Sequence, residues 1–302
     1  MTTIDISQLD IVYLSYDEPN AEANWLAIQE QCPRALRVHG IKGSDAAHKA
    51  CAELAAGERF ITIDGDNRVN PEFYQQQISI PTDLYTATSV LSFSSENAIN
   101  GLVYGNGGIK CWPRQVVLDM QTHEQADSAA GGVDFCWVLD YVLMPGCWSR
   151  AAINTTAHQA WRAGFREGVK FTLTDGLPTS DSGQWLAQQA RVNLDRLSIW
   201  AQIGADVDKG LWAVLGARAG IYYHLFTDWD PAQLQDFDHL DWLWEQKIKD
   251  LDPWQESCRL GELMLDSLAL PMTRKPLTAE QSRWFKQIHP QPVRTQAKRM
   301  RQ

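Results

Sequence analysis

Asp64 and Asp66 flank one glycine in the run Ile61-Thr62-Ile63-Asp64-Gly65-Asp66. Two carboxylates one residue apart at the end of an apolar stretch can share a divalent cation, and Gly65 lets the chain turn tightly between them. Hard oxygen ligands suit Mg²⁺ or Mn²⁺, ions that also take oxygens from a substrate phosphate. An EF-hand calcium loop fits poorly: its sixth and twelfth positions call for Gly and Glu, and the chain has Val69 and Gln75 there.

Other residues could join this chemistry. In Trp161-Arg162-Ala163-Gly164-Phe165-Arg166-Glu167, Arg162 and Arg166 lie four apart, hence on one helical face. They could clamp a diphosphate or a DNA phosphate, or form a solvated, salt-bridged face. Glu167 lies one step round, and Asp134 is a rival carboxylate for a general base, with Asp140 behind it. The segment Tyr104-Gly105-Asn106-Gly107-Gly108 lacks the Lys-Ser/Thr of a Walker motif, which excludes an ATP-binding P-loop. Its glycines permit close backbone approach to a ligand, with Lys110 and Trp112 at the same mouth.

Positioning these residues requires an alternation of strands and helices. Asp10 to Ser15 reads as a buried strand, Asn20 to Gln31 as a helix, Arg37 to His39 as a short strand and Asp45 to Ala56 as a helix stopped by Gly57. A third strand, Arg59 to Ile63, runs straight into Asp64. Leu84 to Phe93 and Asp134 to Leu143 read as strands, residues 104–108 as a loop, and His158 to Phe171 as a helix. Beyond Gly176 the amphipathic stretches Ser182–Ile203, Asp208–Tyr223, Pro231–Leu251, Gln255–Leu268 and Thr278–Ile288 predict a helical C-terminal region.

The 302 residues suffice for one large domain or two modest ones. No apolar run spans a bilayer, and the N-terminus lacks a basic segment followed by an apolar one, so a cytoplasmic protein without membrane contact is expected. Six cysteines with no CxxC pair give no support to a zinc ribbon or a redox motif. The net charge of −10 conceals an asymmetry. From Arg274 onward eight basic residues face only Glu280, a +7 tail on a body of −17.

The stretch from Lys42-Gly43-Ser44-Asp45 through Gly57-Glu58-Arg59-Phe60-Ile61-Thr62-Ile63-Asp64-Gly65-Asp66, preceded by Ser15-Tyr16-Asp17-Glu18-Pro19-Asn20, resembles the nucleotide-sugar half of GT-A glycosyltransferases of the family-2-like kind. The likeness covers about residues 10–115. Residues 101–113 and 160–167 are also similar to glycosyltransferase-like proteins of tailed bacteriophages, which would place the enzyme in the cytoplasm of a bacterial host. The resemblance implies an α/β, Rossmann-like GT-A domain over 1–175, with a donor half to about 115 and an acceptor half over 116–175, then a helical region with a basic tail over 176–302.

Carried over, the resemblance implies that Tyr16 borders the base and that Asp17 or Glu18 lies near the ribose or uracil edge. It makes Asp66 the direct ligand of Mn²⁺ or Mg²⁺ and sets Asp64 on the ribose or the metal. His48 stands where many members have Asn or Arg near the diphosphate, while Gly107, Gly108 and Lys110 would approach the donor sugar. His224 and His158 are candidates for a third metal ligand. The implied activity is transfer of a sugar from a UDP-sugar, with Asp134, Glu167 and Arg162 as catalytic candidates. The implied acceptor is 5-hydroxymethylcytosine or another hydroxymethylpyrimidine in DNA, contacted through Trp112, Arg166, Lys298 and Arg299. A saccharide or lipid-linked acceptor is the alternative, and a non-catalytic nucleotide-sugar or nucleic-acid binding protein is the reading from another class.

Overall fold

The computed structural model describes residues 1–126, 134–174, 177 and 182–300, and only the backbone at 105–107, 137 and 182–184. Its first part is a mixed sheet built from β2 (Asp10–Ser15), β3 (Leu36–His39), β4 (Arg59–Asp64), β5 (Asn67–Val69), β7 (Val90–Asn97), β8 (Val103–Pro113), β9 (Tyr141–Ala151) and β10 (Lys298–Arg299). The order is β10-β9-β7-β8-β4-β2-β3, with β5 on β9, and β1 (Thr2–Asp5) pairs separately with β6 (Gln77–Ile80). Strands β2, β3 and β4 are parallel, and β8 runs antiparallel between β4 and β7.

Period-2 alternation explains why these strands are buried on both faces. Ile11, Tyr13, Ile61 and Ile63 pack into one core, whereas Val12 and Phe60 point into another with Trp112 and Tyr141. Helices α1 (Ala21–Gln31) and α2 (Ser44–Leu54) connect β2 to β3 and β3 to β4. Strand β3 lies on one side of β2 and β4 on the other, so the carboxyl ends of β2 and β4 form a topological switch point, where open α/β sheets bind ligands.

Several sequence expectations are corrected. Residues 104–108 are not a loop but part of β8, with Gly108 at φ +93° and a register shift opposite between Phe93 and Ser95. The strand expected over 84–93 begins only at Val90. The one expected over 134–143 is a 3-10 turn, Phe135–Val138, followed by β9. A short helix α3 (Arg114–Asp119) follows β8, and α4 (Ala157–Lys170) follows β9.

The helical region contains α5 (Ser182–Gln188), α6 (Arg191–Trp200), α7 (Gly210–Phe226), α8 (Phe237–Leu243), α9 (Pro253–Ser267) and α10 (Ala279–Ile288), with a π-turn at Trp244–Ile248. No helix among the described residues is long and apolar enough to cross a membrane. The boundary expected at residue 175 falls outside the described residues. Trp161, Phe165 and Val169 of α4 lie in the same core as Trp200, Leu215 and Ile221, while β10 returns from the far end of the chain to the sheet edge.

At the centre of the helical core Arg218 is fully buried. Its guanidinium donates to the carbonyls of Ala201 at 2.8 Å, Ser257 at 2.7 Å, Arg274 at 2.6 Å and Thr273 at 3.0 Å. Arg218→Leu would strand four carbonyl oxygens in an apolar interior. Equilibrium urea unfolding should show a loss of roughly 3–5 kcal/mol, the scale seen when one partner of a buried charged network is removed.

Candidate functional site

The acidic triplet is held at the switch point by its backbone. Gly65 carbonyl oxygen accepts from Tyr13 Oη at 2.7 Å and Asn24 Nδ2 at 2.9 Å, and the Asp66 carbonyl accepts from Ala152 N at 2.8 Å. A Cβ on Gly65 would fall 2.6 Å from the Glu18 carboxyl carbon, so this side chain of the loop after β2 lies directly against the end of β4. Glu18 in turn accepts from Tyr16 N at 2.8 Å. On the other side, a Cβ on Gly108 would sit 2.2 Å from Asn67 Nδ2 and 3.2 Å from Asp64 Cβ, so β8 passes directly against the triplet.

Asn67 is a site residue that spacing alone did not reveal. Its Nδ2 donates to Asp66 Oδ1 at 2.7 Å, while its Oδ1 accepts from Ser149 at 2.8 Å and Ser95 at 3.2 Å. Asp66 is therefore aimed by an amide that two hydroxyls fix in place. The only available signal was its position next to the acidic pair.

Three carboxylates crowd this crevice. Burial, then the charges of Asp64 and Glu18, pushes the Asp66 carboxyl up to about 7. Burial likewise raises Glu18, with Asp64 and Asp17 adding to it. Lys110 is buried, with Nζ 3.7 Å from Asp64 Oδ2. Burial works to discharge it, but the attraction of Asp64 and its acidic neighbours prevails and holds the ammonium above its ordinary value.

Helix α4 turns a cationic face toward the same crevice. Arg162, Arg166 and Lys170 repeat every four residues, and Asp66 and Asp134 are both within electrostatic reach of Arg166. Lys170 Nζ lies 2.7 Å from Asp134 Oδ2, and Arg162 Nη1 is 3.5 Å from Asp241 Oδ1. Burial alone would raise Asp134, yet Lys170 and the Cys136 amide hold it well below the usual carboxylate range. So stabilised an anion is a weak general base. Glu167, one step round the helix, faces elsewhere and accepts from Tyr104 Oη at 2.5 Å, with Arg196 over the Tyr104 ring.

No model of a known family matches this chain, and no curated protein sequence matches it. The site must be read from its own chemistry.

Of the remaining sequence candidates, Tyr16 and Asp17 are exposed at the mouth of the crevice. Gly107 lies within β8, at a position where only the backbone is described. His48 is a buried histidine whose Nδ1 lies 2.8 Å from Ser44 O, edge-on to Trp112 and Phe135. Burial lowers its affinity for a proton, although Asp64 is within electrostatic reach.

Trp112 is not an acceptor platform: it is completely buried, and its Nε1 donates to Thr62 Oγ1 at 2.8 Å. His224 is not brought to the carboxylates either. It lies in α7, 2.7 Å from Thr172 Oγ1, and burial alone, with no contribution from any acidic group, pushes it down to about 4. His158 sits 3.1 Å from Asp241 Oδ1, stacked between Trp161 and Trp244. Among the described residues, no three His, Cys, Asp or Glu side chains are grouped to hold a metal ion.

Among the described residues, four basic residues of the tail are tied into the fold. Lys298 and Arg299 pair with Leu143 and Val142 of β9, and Arg299 forms an ion pair with Asp140 and donates to Leu84 O. Lys286 is bound to Asp206 and Arg274 to Asp266. Ala297 and Met300 pack against the cores on either face of the sheet. Truncation after residue 289 should therefore lower the midpoint of thermal unfolding by several degrees, because it uncovers Asp140 and the edge of β9.

Proposed function

We propose that this protein is a metal-dependent glycosyltransferase that moves a sugar from a nucleotide diphosphate sugar, a UDP-sugar first, to a hydroxyl acceptor. The observation that carries the reading is Asp64-Gly65-Asp66 at the carboxyl end of a parallel strand, at a topological switch point, with the Asp66 carboxyl raised to about 7. Such crowding is relieved by a divalent cation, and the all-oxygen pair fits Mg²⁺ or Mn²⁺. Asp64 and Asp66 would hold the ion, whose charge would offset that developing on the leaving diphosphate. Two protein ligands leave coordination positions open for phosphate oxygens and water.

The chain's own residues supply the rest. Asn67 orients Asp66, Lys110 partners Asp64 and adds positive charge beside the pair, and Tyr16 and Asp17 border the nucleoside at the mouth. Asp134 and Glu167 are already engaged by Lys170 and Tyr104, which gives them a part in holding α4 rather than in taking the acceptor proton. As acceptor we propose 5-hydroxymethylcytosine in DNA for direct comparison with a saccharide. The burial of Trp112 and the ion pair of Arg299 remove two of the contacts that favoured DNA.

The test is incubation with UDP-glucose and Mn²⁺, with either hydroxymethylcytosine-containing DNA or an oligosaccharide, followed by measurement of UDP and by mass analysis of the nucleosides and sugars. A hexose mass added to one acceptor supports the reading and identifies the acceptor. Absence of nucleotide release from UDP-, GDP- and dTDP-sugars alike would overturn the reading in favour of a binding protein.

A further inference from the structure

On the crevice-facing side of α4, Lys170 is bound to Asp134 and Arg162 approaches Asp241, yet Arg166 between them makes no hydrogen bond and no ion pair among the described residues. Its Nε is sealed from solvent without a partner. The aromatic ring of Phe237 lies 5.2 Å from its guanidinium carbon and 4.8 Å from that of Arg162. Arg166 is half-buried, and its terminal nitrogens, unlike Nε, stay open to solvent without a partner among the described residues; the planar donors of a guanidinium fit phosphate oxygens in bidentate fashion. The carboxylates within its reach do not satisfy it: Asp134 is committed to Lys170, Glu167 to Tyr104, and Asp66 to Asn67.

We propose that Arg166, assisted by Arg162 under the Phe237 ring, forms a diphosphate-binding site opposite the Asp64/Asp66 pair, so that a donor diphosphate is held between a metal on one side and a guanidinium fork on the other. This rests on the donor reading above and adds to it a cation that acts on the leaving group directly. Helix α8, which carries Phe237, spans from this point to the loop before α2 through an exposed ion pair of Asp238 with Lys42 at 2.9 Å. Phe237 packs over the two guanidinium groups, and an incoming anion would meet the in-plane N–H donors of Arg166, which no partner among the described residues occupies.

The probe is inorganic pyrophosphate in metal-free buffer of low ionic strength, titrated by calorimetry into the full-length protein. Wild type should bind one equivalent. Arg166→Gln should weaken binding at least tenfold, whereas Arg259→Gln, which breaks an exposed pair with Glu256, should leave it unchanged. If Arg166→Gln fails to unfold cooperatively, Arg166→Lys replaces it and should fall between the two, because it keeps the charge and loses the fork. No saturable binding by wild type, or equal binding by the Arg166 variants, would overturn the site. Pyrophosphate binding that depends on Arg166 in a protein that releases no nucleotide would sink the glycosyltransferase reading and leave the anion site standing. Sugar transfer undiminished in Arg166→Gln would do the reverse.

Discussion

Asp66→Asn should abolish metal-dependent sugar transfer while making the metal-free protein more stable at pH 8. The activity loss is expected to exceed about 100-fold, since even residues that merely orient metal ligands cost 10–100-fold when replaced. The stability gain follows from the crowding of carboxylates. In the unfolded chain Asp66 gives up its proton near the ordinary aspartate value of 3.8, whereas burial and the charges of Asp64 and Glu18 make the folded protein retain it to about 7. Across that window the folded state binds more protons, so wild-type stability falls as pH rises and the deficit persists above it. Asparagine has no proton to lose, and its Oδ1 can still accept from Asn67. The advantage of the variant should be near zero at pH 3.5 and reach on the order of a few kcal/mol at pH 8, less whatever Asp64 and Glu18 recover by readjusting. Urea unfolding in chelator at the two pH values measures it. Mn²⁺ should restore the wild type at pH 8 and do little for Asp66→Asn. An advantage of equal size at both pH values would rule out the carboxylate cluster as its source.

Local patterns in the sequence carried the acidic side of this site further than the cationic side. The short β-branched run Ile61-Thr62-Ile63 ending in Asp64-Gly65-Asp66 reads as a buried strand with its acids at the exit, and β4 ends there. The α1 and α2 segments carry their own helix signals, and with them the order of β2, β3 and β4 follows. Less was legible where partners come from afar. The glycines at 104–108 signal permissive backbone, which serves a loop and a distorted strand alike; β8 is a strand because β4 and β7 supply its hydrogen bonds. Trp112 and His48 have the composition of a binding platform, and only tertiary burial shows that they pack on each other. The +7 tail gave no hint that Asp140 and Asp206 wait for Arg299 and Lys286 at separations of 159 and 80 residues. Charge counts record what a segment carries and not what it meets.

Gly164→Ala should destabilise the protein by about 1–3 kcal/mol, against the direction that helix propensity sets. Alanine is favoured over glycine within a helix by about 1 kcal/mol, so a substitution without tertiary consequence would be stabilising. Helices α4 and α7, however, run parallel with glycines at their contact. A Cβ at Gly164 would lie 2.0 Å from Ala213 O and one at Gly168 2.3 Å from Ala217 O. From the opposite helix, Gly216 and Gly220 meet Trp161 O at 2.1 Å and Phe165 O at 2.3 Å. These obstacles are backbone atoms, which cannot rotate away as a side chain would, so relief requires the two helices to separate. Because the core on both sides is built on their spacing, separation exposes apolar surface from Trp161 to Ile221. Gly216→Ala should behave similarly, and the double variant should cost less than the sum, since one separation accommodates both methyl groups. Arg166 lies between Gly164 and Gly168, so displacement of α4 shifts its guanidinium relative to Asp66, and pyrophosphate affinity should fall along with the urea midpoint. A rise in that midpoint would mean that propensity governs this position and that close approach of the two backbones is not what holds the cationic face over the carboxylates.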